Sequence, residues 1–350
     1  MRKLKNTIHK LLNWEYWNTN VVYFPIFFYW IYLSIKARSL GFFNASNPGI
    51  INGGFALESK KEIYDLIPKQ YYPETLFFKA NQKLQIIINT IEKAKIPFPF
   101  IIKPDMGLQG LRVEKINSWA ALSEYLQKTD YDFLVQECIN YPLEIGLFYY
   151  RMPNENKGTI TGIVYKDFLI VKGNGTNTVR ELIEQNPRFA LQLDTLKQKF
   201  GDKLNEVLPT DEVLNLVPFG NHVRGSKFTD VTYWINEKLT ETFNEICSQI
   251  PDFYFGRLDI MFQSREDLEQ GKNFSIIELN GAGSEPTHMY DPKHSIFFAW
   301  KEIIKHYDIL YKISTFNHQK GHSYLNIKQS RQLVIDNKKL TNHLKSISKK

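Results

Sequence analysis

At 350 residues and 43% hydrophobic content, the chain can bury a sizeable core, which excludes a disordered or fibrous protein and favours a catalytic body with one or two smaller pieces. Its two cysteines, Cys138 and Cys247, lie far apart without a metal-ligand spacing, so neither a disulfide framework nor a zinc site is expected, and a cytoplasmic setting fits. The net charge of +7 is concentrated at the ends: Arg2, Lys3, Lys5, Lys10, Lys338, Lys339, Lys345, Lys349 and Lys350 are nine of the 44 basic residues, and without them 35 remain against 37 acids. The central region carries no basic-aromatic nucleic-acid motif. Anionic lipid is the expected partner of the tails, with two merely solvated ends as the plainer alternative.

Residues 1–40 form a basic and aromatic segment. Its apolar run VVYFPIFFYWIYLSI, residues 21–35, is uncharged but shorter than the roughly 20 residues that cross a bilayer. Trp14, Tyr16, Trp17, Tyr23, Tyr29, Trp30 and Tyr32 suit a headgroup boundary, so an interfacial helix or docking hairpin, peripheral on the inner membrane face, is expected. Packing on the protein's own core is the alternative. Residues 41–97 read as a small region: a glycine-rich loop with Pro48, Gly49, Gly53 and Gly54, a helix from Ser59 to Ile67, and a second from Gln82 to Lys95 that stops at Pro97 and Pro99. The glycine loop suits either a plain turn with a helix cap or an anion site.

From residue 98 the pattern changes to short β-rich runs, FPFIIKP, DFLVQECI, EIGLFYYRMP, GTITGIVY, DFLIVKG, YFGRLDIMF and FSIIELNG. Helices are expected at 118–128, 178–185, 189–200 and 233–249. This is an α+β layout, with antiparallel sheets covered by helices, and it assigns residues 98–312 to a catalytic domain. Residues 313–350 read as a helix followed by a loose basic tail.

The chemistry concentrates in the last two runs. Side chains two apart on a strand share a face, so Arg257 and Asp259 point together, as do Glu278 and Asn280. Oxygen ligands of this kind suit magnesium held together with a polyphosphate, and Arg257 would neutralise a transferred phosphoryl group. A salt-bridge ladder on a solvated sheet face explains the first pair equally well, but not Asn280 followed by Gly281, Ala282, Gly283 and Ser284. Upstream, Lys103 leaves an apolar strand before the loop containing Gly107 and Gly110, where a point charge and loop amides can meet phosphates. A surface lysine before a turn is the alternative. The strand containing Gln136, Glu137 and Ile139 offers backbone and apolar side chains to a flat base, and Glu144 could take ribose hydroxyls, unless this is an ordinary half-buried strand.

The order of these four pieces resembles the ATP-grasp superfamily over about 190 residues, from Phe98 to Asp291. That resemblance implies two α+β subdomains gripping ATP, with Lys103 on its α and β phosphates and Gly107 and Gly110 closing over them. Gln136, Glu137 and Ile139 would form the adenine hinge and Glu144 would bind ribose. Arg257 would contact the γ-phosphate or an acyl phosphate, while Asp259, Glu278 and Asn280 would hold Mg2+, with Mn2+ as a substitute. A narrower similarity, in the stretch from Val171 to Ile183 and in Asn221 to Asp230, is to cyanophycin-synthetase-like carboxylate-amine ligases; D-alanine:D-alanine ligase is a more distant relative. Asn174 stands where that group has Asp, and its Ser-Thr-Gly-Gly core is missing, so polymer synthesis on aspartate is not implied.

The function so implied is ATP- and Mg2+-dependent carboxylate-amine ligation through an acyl phosphate, on small-molecule or lipid-linked carboxylate and amine substrates. Lys166 or Lys172 could add a phosphate contact, and His222, Arg224 and Ser284 are the candidates for gripping substrate. Two rival readings keep the nucleotide site: a kinase acting on a small or lipid-linked acceptor, and a non-catalytic nucleotide-binding scaffold at the membrane.

Overall fold

The structure, a computed structural model, describes residues 2–107, 110–217 and 225–348. In chain order the helices are α1 (Arg2–Leu12), α2 (Thr19–Ala37), α3 (Lys60–Leu66), α4 (Leu84–Lys93), α5 (Trp119–Gln127), α6 (Val179–Gln185), α7 (Pro187–Ala190), α8 (Leu193–Phe200), α9 (Glu237–Ser248), α10 (Arg265–Glu269), α11 (Ile296–Gln319) and α12 (Ile327–Ile347). The strands are β1 (Thr75–Phe78), β2 (Phe100–Pro104), β3 (Glu114–Ile116), β4 (Phe133–Glu137), β5 (Leu143–Tyr150), β6 (Thr159–Asp167), β7 (Leu169–Lys172), β8 (Val213–Val217), β9 (Lys227–Asp230), β10 (Phe255–Phe262) and β11 (Phe274–Asn280).

All sheet pairings are antiparallel, and the α+β class is as expected. One sheet has the order β1-β4-β2-β3, a second β11-β10-β5-β6-β9, and β7 and β8 form a separate ribbon. Because β1 pairs with β4, the four-stranded sheet draws strands from both sides of residue 98. Its core, with Phe78, Phe100, Ile102 and Val135, is covered by α4 through Ile87 and Ile91 and by α5 through Leu122 and Tyr125. The five-stranded sheet buries Leu147, Leu258, Ile260 and Ile276 against Ile63 of α3 and Leu239, Phe243 and Ile246 of α9. These apolar positions recur on one helix face, which is why the segments coil as they do. Ser59 caps α3 by accepting from the Glu62 amide, and Thr178 and Glu181 form a capping box on α6.

Three expectations are refined. The helix expected over 189–200 is divided into α7 and α8, with Pro187 starting the first; Pro is favoured at a helix start because it lacks the N–H that would be orphaned there. The tail is no loose end within the described residues: α12 runs for 21 residues, opens on an Asn326–Gln329 capping box and packs Leu333 and Leu344 inward. Of the helix and the hairpin expected for the apolar run, the helix is found, and one side of it packs on the protein's own core. Val22, Ile26 and Leu33 of α2 are buried, with Val22 and Ile26 against Ile303 of α11, while Phe24 and Phe28 remain 64% and 60% exposed. Among the described residues no helix is long and apolar enough to cross a membrane.

Candidate functional site

The two main sheets face a cleft of about 980 Å³. Lys103, Gly107, Gly110, Gln136, Glu137, Ile139, Glu144, Lys166, Arg257, Asp259, Glu278, Asn280 and Ser284 all line it. His222 and Arg224 lie outside the described residues. Lys172 is not on the lining and pairs on the surface with Asp211 at 2.6 Å.

Lys103 projects from β2 and is buried. Its Nζ donates to Tyr64 Oη and Gln136 Oε1, both at 2.9 Å, and to the Ile277 carbonyl at 3.4 Å. That carbonyl is available because β10 and β11 shift register: Asp259 pairs with Glu278 and Ile260 with Ile276, which leaves Ile277 as the bulged extra residue. No carboxylate forms an ion pair with Lys103 among the described residues. Burial therefore pulls its pKa down to about 8, against a partial opposing pull from Glu278. The Gln136 side chain is turned to this ammonium and to Thr75 Oγ1 at 2.8 Å.

The five-stranded sheet presents the opposite electrostatics. Arg257 Nε and Nη2 donate to the two oxygens of Asp259 at 2.8 and 3.1 Å, and Lys166 Nζ reaches Glu144 Oε1 at 2.7 Å and Asp259 Oδ2 at 3.2 Å. A ladder does exist, but it is buried instead of solvated. Burial alone would raise the Asp259 pKa, and Arg257 and Lys166 more than reverse that. Burial likewise opposes the charge on Lys166, while Asp259 and Glu144 hold its pKa above the ordinary value. Gly146, opposite Asp259 on β5, leaves room for the pair: a Cβ there would stand 3.1 Å from Asp259 Oδ1 and 3.2 Å from Arg257 Cδ.

The loop after β11 is fixed by backbone contact. The Ala282 and Gly283 amides donate to the Gly53 and Gly54 carbonyls at 2.9 Å, and a Cβ on Gly281 would fall 2.4 Å from the Gly53 oxygen. The glycine-rich loop thus acts as a turn that clamps Asn280 and Ser284 in place. The cap of α3 also reaches the site: Asp105 accepts from Ser59 Oγ and the Lys61 amide, and Lys60 Nζ donates to the Gly107 carbonyl at 3.0 Å.

For a divalent cation, the donors present are Glu278, Asn280 and Glu58. Glu58 Oε2 and Asn280 Nδ2 are buried with no hydrogen-bond partner, and the two ends of an Asn amide are interchangeable by rotation, which would aim Oδ1 at the same space. Burial, with Glu278 nearby, raises the Glu58 pKa. An orphaned acceptor beside a second carboxylate is a chemical fit for Mg2+, which takes one or two protein carboxylates and fills its shell with phosphate and water. Asp259 is already bound on both oxygens by cations.

Several residues were not expected at the cleft, Trp14 and Tyr23 having been read only as boundary aromatics. Glu58, Tyr64, Trp14, Tyr23, Glu285, Tyr290 and His306 reach the cleft or its lysine through tertiary packing. Only Glu285, directly after the Gly-Ala-Gly-Ser turn, had a local signal.

No protein-family model matches the sequence, and no curated protein matches it. Among solved structures, similarity is found to a bifunctional glutathione synthetase from Pasteurella multocida, at 13% identity and a TM-score of 0.36 over 73% of this chain and 38% of that one. The VanG D-Ala:D-Ser ligase from Enterococcus faecalis gives 15% identity and 0.41 over 72% of this chain and 61% of that one. A D-alanine–D-alanine ligase from Bacillus anthracis in complex with ATP gives 13% and 0.42 over 75% and 67%. The chain spans less than two thirds of the length of the first two, and at these values the likenesses add nothing to what the site's own residues say.

Proposed function

We propose that the protein is an ATP-grasp carboxylate-amine ligase that works through an acyl phosphate. The observation that carries this reading is the convergence, in one cleft between two antiparallel sheets, of a carboxylate-free buried lysine with the Arg257, Asp259, Glu278 and Asn280 face. Lys103 would hold nucleotide phosphates as a point charge, and its partners Tyr64, Gln136 and Ile277 fix it in advance. Gly107 and Gly110 would cover the phosphates, and Gln136, Glu137 and Ile139 would line the base, with Glu144 near the ribose. Glu278 and Asn280, with Glu58 beside them, would hold Mg2+, which when bound offsets the charge of the polyphosphate; Asp259 would join them only by releasing a cation it holds. Arg257, oriented by Asp259, would stabilise the phosphoryl group as a substrate carboxylate oxygen attacks the γ-phosphorus and ADP leaves. The amine then adds to the acyl carbon, and phosphate leaves with the surplus proton. The decisive experiment is an ADP-release screen pairing carboxylates with amines, with mass detection of the product. Amine-dependent release with an amide product supports ligation; release that needs no amine favours the kinase.

We propose separately that the protein works at an anionic membrane surface on the inner face, on a membrane-proximal or lipid-linked substrate. The outward face of α2 exposes Val21, Phe24, Phe28 and Ile35, spaced along one side, and neither α1 nor α2 contains an acidic residue. Flotation with vesicles of mixed neutral and anionic lipid tests it. Fully burying a Phe side chain is worth about 1.5–3 kcal/mol, and since Phe24 and Phe28 are 64% and 60% exposed only that share remains to be gained, so Phe24→Ser with Phe28→Ser should lower partitioning by roughly a hundredfold. Equal flotation of the double variant would remove the membrane from the account.

A further inference from the structure

Glu285, five residues beyond β11, faces the cleft and has no place in the chemistry above. Its Oε1 accepts from the Tyr23 hydroxyl and its Oε2 from the Tyr290 hydroxyl at 3.1 Å. Among the described residues no cation forms an ion pair with it. The Arg257 charge lies nearby but is directed at Asp259, so this half-buried carboxylate has phenols and no directly paired cation on its oxygens, an incomplete arrangement for a charge withdrawn from water. Each oxygen keeps acceptor capacity for a further donor. Around it the walls are aromatic: Trp14 is buried and stacks on Tyr290 with centroids 5.4 Å apart, and both line the cleft with Tyr23 and Tyr307. Ring faces attract cations, most strongly where water is thinned out. One carboxylate among phenol donors is a poor site for Mg2+ or Ca2+, which require a shell of oxygen acceptors. It is well suited to a primary ammonium group on an organic body.

We propose that Glu285, with Trp14, Tyr23 and Tyr290, binds the ammonium group of an amine substrate. The identification of that amine as the acceptor rests on the ligase reading; the binding itself does not. The position fits, since Arg257 Nη1 donates to the Glu285 main-chain carbonyl at 3.4 Å, so the ammonium site adjoins the guanidinium that would handle the phosphoryl group. Two of the four residues come from the N-terminal segment. Tyr23 leaves the inner side of α2, and Glu15, next to Trp14, is held by a buried contact of both its oxygens with Arg188 Nη2 at 2.7 Å. The segment is thereby part of the amine end of the cleft and not an appendage.

The test is calorimetric titration of the full chain, without ATP, with alaninamide, phenethylamine and cadaverine and with the N-acetyl form of each. At least one ammonium probe should bind, its fully acetylated form should bind at least tenfold more weakly, and Glu285→Gln should cost tenfold or more. Tyr23→Phe, which removes one hydroxyl and leaves the carboxylate, should cost about threefold and serves if Glu285→Gln melts early. Equal binding of charged and acetylated probes, no binding of any probe at millimolar concentration, or binding that Glu285→Gln and Tyr23→Phe both leave unchanged would overturn the site. Glu285-dependent amine binding without amine-dependent ADP release would keep the site and sink the ligase reading. Amine-dependent release unchanged in Glu285→Gln would do the reverse.

Discussion

Lys103 and Lys166 are both buried in the walls of one cleft, yet their surroundings differ in kind. Lys166 lies between Glu144 and Asp259, and Asp259 also binds Arg257, so its charge is spent inside the protein. Lys103 has a phenol, an amide oxygen and a bulge carbonyl, dipoles that orient it without neutralising it. A buried cation without a counter-ion is costly to the folded chain and valuable to an anionic ligand. The network around Lys166 is a support; the ammonium of Lys103 is an unfilled demand for negative charge.

That contrast can be broken most forcefully at Asp259. Asp259→Ala leaves Lys166 paired with Glu144 and strips Arg257 of its one directly bonded carboxylate among the described residues, and an undercompensated buried charge costs about 3–5 kcal/mol. Urea denaturation should show that loss, whereas Lys103→Met, which removes an uncompensated charge, should hold or raise stability while abolishing ADP release. Should Lys103→Met be as damaging to stability as Asp259→Ala, the two lysines are alike and the distinction fails. Gly146→Ala should cost about 1–3 kcal/mol, because its methyl crowds Asp259 and Arg257 where neither can withdraw without breaking their pair; a melt indistinguishable from wild type would show slack that the geometry denies.

The third effect is on pH. The folded-state pKa of Lys103, about 8, lies below its unfolded value, so between pH 8 and that value the unfolded chain binds more protons and folding stability gains from this group as pH rises. The penalty is present in full below pH 8. In the ligand-free protein, the stability difference between wild type and Lys103→Met should therefore shrink from pH 7.5 to pH 10, read from denaturation midpoints; a constant difference would mean that Lys103 titrates like a surface lysine. The smallest change is Tyr64→Phe, which removes one partner of Lys103 and should alter stability by about 1 kcal/mol and nucleotide affinity by a few-fold in equilibrium titration.

Much of this cleft can be read from the chain because its chemistry lies on strands. The alternation that puts Arg257 with Asp259 and Glu278 with Asn280 follows from the two-residue strand period, and the observed register, Arg257 opposite Asn280 and Asp259 opposite Glu278, brings them to one face. The bulge at Ile277 has no such signature. It follows from how β11 meets both β10 and the Tyr64 hydroxyl, so the third partner of Lys103 was hidden. The place of Tyr23 at the cleft was hidden for another reason: the composition of α2 speaks for apolar contact, but which side of a helix apolar all round meets the protein is decided by its neighbour α11. Of the helix and loose tail read from residue 313 on, the helical part extends as far as Ile347. The last forty residues are rich in Lys, His, Asn and Ser, and what fixes α12 is its cap and its packing of Leu333 and Leu344.

The clamp between Gly53–Gly54 and Gly281–Gly283 bears on how this protein can vary. Two main chains touch there with no side chain between them, and Gly53 and Gly54 also hold left-handed φ values of 63° and 74°. Positions with no reactive atom are thus as narrowly constrained as those that bear the charge. A saturation-mutagenesis map scored on ADP release should show Gly53, Gly54 and Gly281 as intolerant as Lys103, so intolerance to substitution would overcount the reactive positions of this protein.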